Sequence, residues 1–321
     1  MRVKLLVAIV NYKRADLTLD CLRTAAPELR RLDGGGRIVV VDNGSDNGDA
    51  ETLAAGVEQH GWSDVVEVTP SETNRGFAGG NNVAIRRGLA SGPVDYVMLL
   101  NNDTLVREGA FAELVSFMDR TPDCGIAGAR LEWPDAQPQV SAFNFPSAAS
   151  EFADAACVGV IDSLLAGRLV SRPIPDEPTR CDWVSGAGCV IRSELFDRLG
   201  LLDEGFFMYF EEVLFNWFAA KSGWRTWYVP SARIVHLKGQ TSGVTKVQSG
   251  GARPRPPYWF ASRRRFFARS RGRGYALLAD VARTLGSSLD AARRIILRRP
   301  PSHAPGTLRM VWMSRLRAQA R

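Results

Sequence analysis

The chain has no run of about 18 consecutive apolar residues, so nothing in it reads as a membrane-spanning helix. Nor does it start like an export signal. The apolar run at residues 5–10 is too short and meets polar residues at once, so a cytosolic protein is expected. Cysteine is sparse: Cys21, Cys124, Cys157, Cys181 and Cys189 lie far apart with no Cys-x-x-Cys pair, which argues against zinc or a disulfide framework and for reduced, buried thiols. The start lacks a glycine-rich, Arg- or Lys-bearing loop that would hold a triphosphate, which counts against a nucleotidyltransferase. Residues 253–321 contain no lysine and only two acids, Asp280 and Asp290, against 17 arginines. That tail is +15 and the preceding 252 residues −8, although the whole chain is +7. A basic tail on a mildly acidic body is expected to meet an anionic surface. No recognition motif accompanies the charge, so a nucleic acid is not the expected partner.

What is present is a series of apolar runs that end abruptly in polar residues. Tyr96 to Leu100 reads as a strand buried on both faces, followed at once by Asn101, Asn102 and Asp103. Residues 4–10 end in Asn11-Tyr12, and residues 37–41 in Asp42-Asn43-Gly44-Ser45-Asp46. Ligands of open α/β sheets bind beyond the carboxyl ends of the strands, so these are the places for chemistry. Helices are expected at 51–60, 83–89, 111–118, 194–199 and 211–222, with further strands at 65–68, 125–131, 182–192 and 226–229. The 182–192 strand is interrupted by Gly186 and Gly188. Alternation of strand and helix implies a Rossmann-like, mostly parallel sheet flanked by helices. Residues 132–180 carry six prolines and read as loops and short β-ribbons.

Taken together the motifs resemble the inverting family 2 glycosyltransferases of the GT-A fold, in their rhamnosyltransferase-like branch. The resemblance covers residues 4–240. It rests on Ile9-Val-Asn-Tyr12, Val39-Val-Val-Asp-Asn-Gly-Ser45, Asn74-Arg-Gly-Phe-Ala-Gly-Gly-Asn81, Leu99-Leu-Asn-Asn-Asp-Thr104, Trp183-Val-Ser-Gly-Ala-Gly188, Phe206-Phe-Met-Tyr-Phe-Glu-Glu212, and Gly223-Trp through Val229-Pro to His236. Each is weak alone; seven in order are a strong signal.

The resemblance implies a nucleotide-sugar donor and a divalent cation, Mn²⁺ or Mg²⁺, to stabilise the leaving diphosphate. Asp103 matches the last acid of the family's Asp-x-Asp motif, with Asn101 and Asn102 where other members have acids, and His236 resembles the third metal ligand. Asp42 matches the acceptor of a uracil or thymine N3–H. Asn11 and Tyr12 would flank the same base, Asn102 would join the donor site, and Ser185 and Gly186 would border the donor sugar. Arg75 would contact the diphosphate while Gly76 and Gly79 let the backbone come near it, although the loop lacks G-x-G-x-x-G spacing. Glu212 takes the place of the family's base, with Glu where the family has Asp, and Glu211 is the fallback. Leu214 and Phe218 replace an acid and a basic residue of the family pattern. Asp203 resembles an acid near the acceptor, a glycan or a polyprenyl-linked intermediate. These departures leave open a degenerate protein that binds nucleotide-sugar or glycan without turnover.

The expected organisation is a GT-A domain over 1–245, a basic amphipathic helical extension over 253–299, and a loose Pro/Arg-rich tail over 300–321. Leu278, Val281, Leu285, Leu289, Ala292 and Ile296 recur at helical spacing among arginines. Such a helix would lie on an anionic membrane or pack on the catalytic domain with its basic face in water.

Overall fold

A computed structural model describes residues 3–237, 255–300, 302–304 and 306–317. The first third alternates as read: β1 (Val3–Asn11), α1 (Ala15–Arg30), β2 (Gly36–Asn43), α2 (Asp49–Gln59), β3 (Val66–Ser71), α3 (Gly76–Ala90) and β4 (Val94–Asn101). Their strands pair in parallel in the order β3-β2-β1-β4. Side chains alternate across β1. Leu5, Val7 and Ile9 pack with Cys21, Leu22, Phe111 and Leu114 on one face of the sheet, while Leu6 and Ala8 pack with Ile85, Leu195 and Phe215 on the other.

The chain continues through β5 (Thr104–Val106), α4 (Ala110–Arg120), β6 (Cys124–Glu132), β7 (Ala142–Phe143), α5 (Ala148–Ala156), α6 (Gly159–Leu164), β8 (Thr179–Cys181), β9 (Trp183–Val184), β10 (Gly188–Arg192), α7 (Glu194–Leu199), α8 (Glu211–Lys221) and β11 (Arg225–His236). β10 enters between β4 and β6 and runs antiparallel to both, and β11 lies parallel to β6. β1, β2, β4, β6 and β11 therefore end on one edge of a nine-stranded sheet, where β10 begins.

Several expectations are corrected. Residues 132–180 are not all loop and ribbon: a capping box at Ser147 and Ser150 starts α5, and Ala153, Ala155 and Ala156 are buried. The strand expected to stop at Pro230 continues to His236, with the proline in a register irregularity between Val229 and Arg233. Cys157 is exposed and Cys181 half-buried, although all five thiols are free. The boundary expected between 245 and 253 and the last residues of the family resemblance lie outside the described residues.

The extension is helical, but two helices share it: α9 (Pro257–Arg271) and α10 (Arg273–Leu297). Residues 307–317, in the stretch read as loose, form a helix, α11 (Thr307–Arg317). α10 packs along α5 and α9, and its buried residues are small or charged, namely Ala276, Ala279, Asp280, Arg283, Gly286, Ser287 and Asp290. Gly286 is required there, since a Cβ would lie 2.4 Å from the Phe152 carbonyl oxygen. The apolar stripe faces outward, from Val281 at 38% exposure to Ile296 at 80%. Among the described residues no helix is long and apolar enough to cross a membrane.

Buried charge joins the extension to the body. Arg263 is fully buried; its Nη1 donates to Asp280 Oδ1 at 2.7 Å, and its Nε lies 2.8 Å from Glu151 Oε2, outside hydrogen-bond alignment. Arg283 Nη1 donates to Glu151 at 2.8 Å and to Asp154 at 3.1 Å. Removing one partner of such a set strands buried charge, so Arg263→Ala should cost about 3–5 kcal/mol of unfolding free energy. Urea denaturation measures it; an unchanged midpoint would mean that this network does not hold the helices.

Candidate active site

Side chains from five segments gather on the edge where the parallel strands end. Asp103 follows β4 and His236 closes β11, in register with Thr104 of β5. His236 Nε2 lies 3.4 Å from Asp103 Oδ1 and 3.4 Å from the Asn101 amide nitrogen. His236 Nδ1 is buried without a partner. The His236 carbonyl accepts from Gln139 Nε2 at 2.8 Å, which fixes the end of β11. Neighbouring positions of an octahedron with bonds of about 2.1 Å lie about 3.0 Å apart, so a closure of a few tenths of an ångström lets this carboxylate oxygen and imidazole nitrogen hold a small divalent cation.

Beside it runs a buried polar chain. Asn11 Nδ2 donates to Asp42 Oδ1 at 2.9 Å and to Asp49 Oδ2 at 2.8 Å; the Thr18 hydroxyl donates to Asn11 Oδ1 at 2.7 Å; Asn102 Nδ2 donates to Thr18 at 3.0 Å. Asn11 is fully buried, and its amide is spent on Asp42, Asp49 and Thr18. Asp49 and Thr18 escaped the sequence reading, because nothing in a helix start marks its acid as a partner for a strand residue 38 positions earlier. Tyr12 is half-buried next door, with Lys13 Nζ 5.5 Å from its ring.

The glycine-rich loop has a different purpose from the one expected. Gly76 has φ +69°, and a Cβ there would lie 2.0 Å from the Phe207 carbonyl oxygen, which also accepts from Phe77 N at 2.8 Å. A Cβ at Gly79 would meet Arg75 Cβ at 2.5 Å. These glycines admit neighbouring protein, and the space read as a diphosphate approach at Gly76 is filled by the 203–210 segment. The Arg75 side chain is exposed at the head of α3.

That segment delivers the acids. Tyr209 and Phe210 have φ of 70° and 71°, left-handed conformations that aromatic residues rarely adopt, immediately before α8. Glu211 and Glu212 open the helix. Each has one buried oxygen, Oε2, without a partner. Burial and then the charge of Glu212 hold Glu211 well above the usual carboxylate range, while burial pushes Glu212 up to about 7. Glu212 lines a 500 Å³ cavity whose other walls include Trp183, Tyr209 and Trp259. Glu211 is not among its lining residues and is buried. Gly186 lies against this pair of elements, its would-be Cβ 3.7 Å from Glu212 Cβ. The adjoining Ser185–Ala187 turn reaches the end of β4, where Asn101 N donates to the Ala187 carbonyl at 3.1 Å. Ser185 Oγ accepts from Ala187 N at 3.3 Å.

Asp203 is corrected from an acceptor contact. Its carboxylate accepts two bonds from Arg265, at 3.1 and 2.7 Å, one from Gly205 N at 2.9 Å, and lies 3.4 Å from Arg269. It anchors α9.

A Rossmann-like sheet whose carboxyl edge carries an Asp–His pair, a buried Asp at the end of β2 and acids at a helix start defines a GT-A transferase. The chain belongs to the family described as Glycosyltransferase like family 2, which it matches over residues 3–271, and it is a glycosyltransferase. It is 28% identical over 236 residues to an N-acetylglucosaminyl-diphospho-decaprenol L-rhamnosyltransferase of Mycobacterium tuberculosis, covering 71% of this chain and 75% of that one. The low-salt glycan biosynthesis hexosyltransferase Agl10 of Haloferax volcanii is 26% identical over 211 residues, 65% of this chain and 59% of the relative. Among solved structures, the mannosyltransferase PcManGT from Pyrobaculum calidifontis, in complex with GDP-Man and Mn²⁺, superposes with a TM-score of 0.58 at 16% identity, covering 100% of this chain and 81% of that one. GalNAc-T7 with UDP, GalNAc and Mn²⁺ gives 0.59 at 16% identity, covering 93% and 59%.

The raised carboxyl of Glu212 carries a stability signature. The native state holds this proton more tightly than the unfolded chain does, so the contribution is complete below the ordinary value of 4.5 and is lost as pH rises through about 7. Glu212→Gln should therefore stabilise the protein by about 1–3 kcal/mol at pH 8 and by much less at pH 5. Denaturant midpoints at the two pH values test this; an equal effect at both would contradict the raised carboxyl.

Proposed function

We propose that this glycosyltransferase is inverting and metal-dependent, and that it moves a sugar, rhamnose or another hexose, from a dTDP- or UDP-linked donor to a glycan or polyprenyl-linked acceptor in cell-surface polysaccharide synthesis. The observation that carries the reading is the 3.4 Å approach of Asp103 and His236 at the shared strand edge. The rhamnosyltransferase relative is named for a decaprenol-diphosphate acceptor, and two solved neighbours hold Mn²⁺.

In this reading Asp103 and His236 would hold the cation, which would supply positive charge to the departing diphosphate. Asp42, aimed by Asn11, accepts the pyrimidine N3–H, Tyr12 lies along the base, and Arg75 reaches a phosphate oxygen. Ser185 and Gly186 border the donor sugar. Glu212 takes the proton of the acceptor hydroxyl as that oxygen bonds to the anomeric carbon and the bond to the diphosphate breaks on the opposite face. A carboxyl near 7 is matched to that task at neutral pH. Glu212 is preferred to Glu211 because it borders the cavity.

Thermal melts with UDP, dTDP, GDP and CMP, each with Mn²⁺, Mg²⁺ or EDTA, test the donor side. Binding to the native state raises the melting temperature, so a metal-dependent shift with UDP or dTDP that disappears in Asp103→Ala is expected. Glu212→Gln should keep that shift and lose about 10²–10⁴-fold in transfer. Transfer absent from wild type with every donor would favour a binding protein instead.

We also propose that α10 meets an anionic membrane at the cytoplasmic face. Support comes from its outward stripe of Leu278, Val281, Leu285, Leu289 and Ile296, from exposed Arg273, Arg298 and Arg299 at its ends, and from burial of its two acids, Asp280 and Asp290. Wild type should sediment with phosphatidylglycerol vesicles at low salt and the Leu285→Asp/Leu289→Asp variant should not; equal sedimentation, or none by wild type, would defeat the proposal.

A further inference from the structure

A cysteine, an aspartate and a histidine that the transfer reaction does not use meet where the extension folds back on α5. Cys157 caps the C-terminus of α5, held at φ +50° in the left-handed region; Asp290 comes from α10, and His303 stands in the short segment between α10 and α11. One ligating atom of each lies within 4.8 Å of the other two. The Cys157 sulfur is 3.9 Å from His303 Nε2. In a tetrahedral zinc site with bonds of about 2.3 Å to sulfur and about 2.1 Å to nitrogen those two atoms stand about 3.6 Å apart, so a closure of a few tenths of an ångström brings both onto one ion.

The surroundings suit a cation. The last carbonyls of α5 face the cluster, with Cys157 Sγ 3.4 Å from the Asp154 oxygen and His303 Nε2 2.8 Å from the Ala155 oxygen, and a helix presents the negative end of its dipole there. Asp290 is only 2% exposed, and Arg294 Nε donates to both of its oxygens, at 3.0 and 3.1 Å. Such an outer partner orients a ligating carboxylate while each oxygen keeps a free lone pair. Arg293 is turned aside to the Cys157 carbonyl, to which its Nη2 donates at 2.8 Å. A thiolate and a carboxylate together supply the two negative charges that offset a divalent ion. Cys157 is exposed and borders the 500 Å³ cavity, which gives the ion a way in. One sulfur, one nitrogen and one oxygen ligand select Zn²⁺ over the oxygen-seeking Mg²⁺ and Mn²⁺. No Cys-x-x-Cys pair announces the cluster because its ligands come from three segments, with 146 positions between Cys157 and His303.

We propose that Cys157, Asp290 and His303 form a zinc site separate from the Asp103–His236 pair. Water completes the coordination, and the ion ties the segment before α11 to α5 and α10.

Titration of the chelator-treated full chain with Co²⁺, followed by absorption, tests this. Co²⁺ takes the place of zinc and reports a thiolate ligand by charge-transfer absorption in the near ultraviolet, which the Asp103–His236 pair has no sulfur to give. Wild type and Asp103→Ala should both develop that band and lose it when Zn²⁺ is added. Cys157→Ser should not develop it, and His303→Ala should need about tenfold more Co²⁺ or worse. In the Asp103→Ala background Zn²⁺ should raise the melting temperature, and adding Cys157→Ser should remove that rise. A metal-free melt of Cys157→Ser at the wild-type temperature shows that it folds. No band in wild type, or an unchanged band in Cys157→Ser, overturns the site, and either result is independent of whether the donor site binds nucleotide.

Discussion

Arg263 carries a full charge into the interior between Glu151 of α5 and Asp280 of α10, and the geometry of the acids at α8 depends on it. A buried guanidinium is tolerable only while its partners stay in place, so the network fixes α9 against two helices at once. α9 in turn braces the turn before α8. Ser262 donates to the Met208 carbonyl at 2.9 Å, Phe266 lies 5.8 Å from Phe210, and Tyr258 stacks over Tyr209 at 6.0 Å. Two successive aromatic residues in the left-handed region cost about 1–3 kcal/mol each, and only an over-determined surround keeps them there. Left-handed φ at both positions keeps α8 from beginning a residue or two earlier.

The two halves of the site are built differently. Its strand-edge half is an outgrowth of the core: Asp42, Asp103 and His236 stand where parallel strands run out of pairing partners, and the buried polar side chains beside Asp42 satisfy one another. The other half is assembled from helices far apart in sequence, held by ion pairs and aromatic edges. Gly76 joins the two, since the absence of its side chain lets the Phe207 carbonyl dock on the head of α3. Asp203, clasped by Arg265, makes the second tie between the same segment and α9.

The strand-edge half was legible in the sequence because apolar runs that stop at Asn, Asp and Gly announce both a buried strand and its polar end. The alternating order, the interruption at Gly186 and Gly188, and the helix opened by Glu211 could be read the same way. What could not be read depends on partners distant in the chain. Asp203 looked like a contact for substrate since nothing local shows that Arg265 occupies it. α5 was hidden by prolines on either side and by alanines too small to make a strong apolar face. α10 misled by the opposite route: its most periodic apolar residues face outward, while the face that packs is made of Ala, Gly, Ser and paired charges. Left-handed φ at Tyr209 and Phe210 has no residue signature at all, because tertiary packing imposes it.

Residue order gives the pinning network a consequence for biosynthesis. Glu151 and the acids at 211 and 212 leave the ribosome well before Arg263, Asp280 and Arg283, so the sheet has the means to fold first while the turn preceding α8 still lacks its brace. Until residues through 283 have emerged, the growing polypeptide lacks the partners that pin α9, and the turn before α8 goes without its brace.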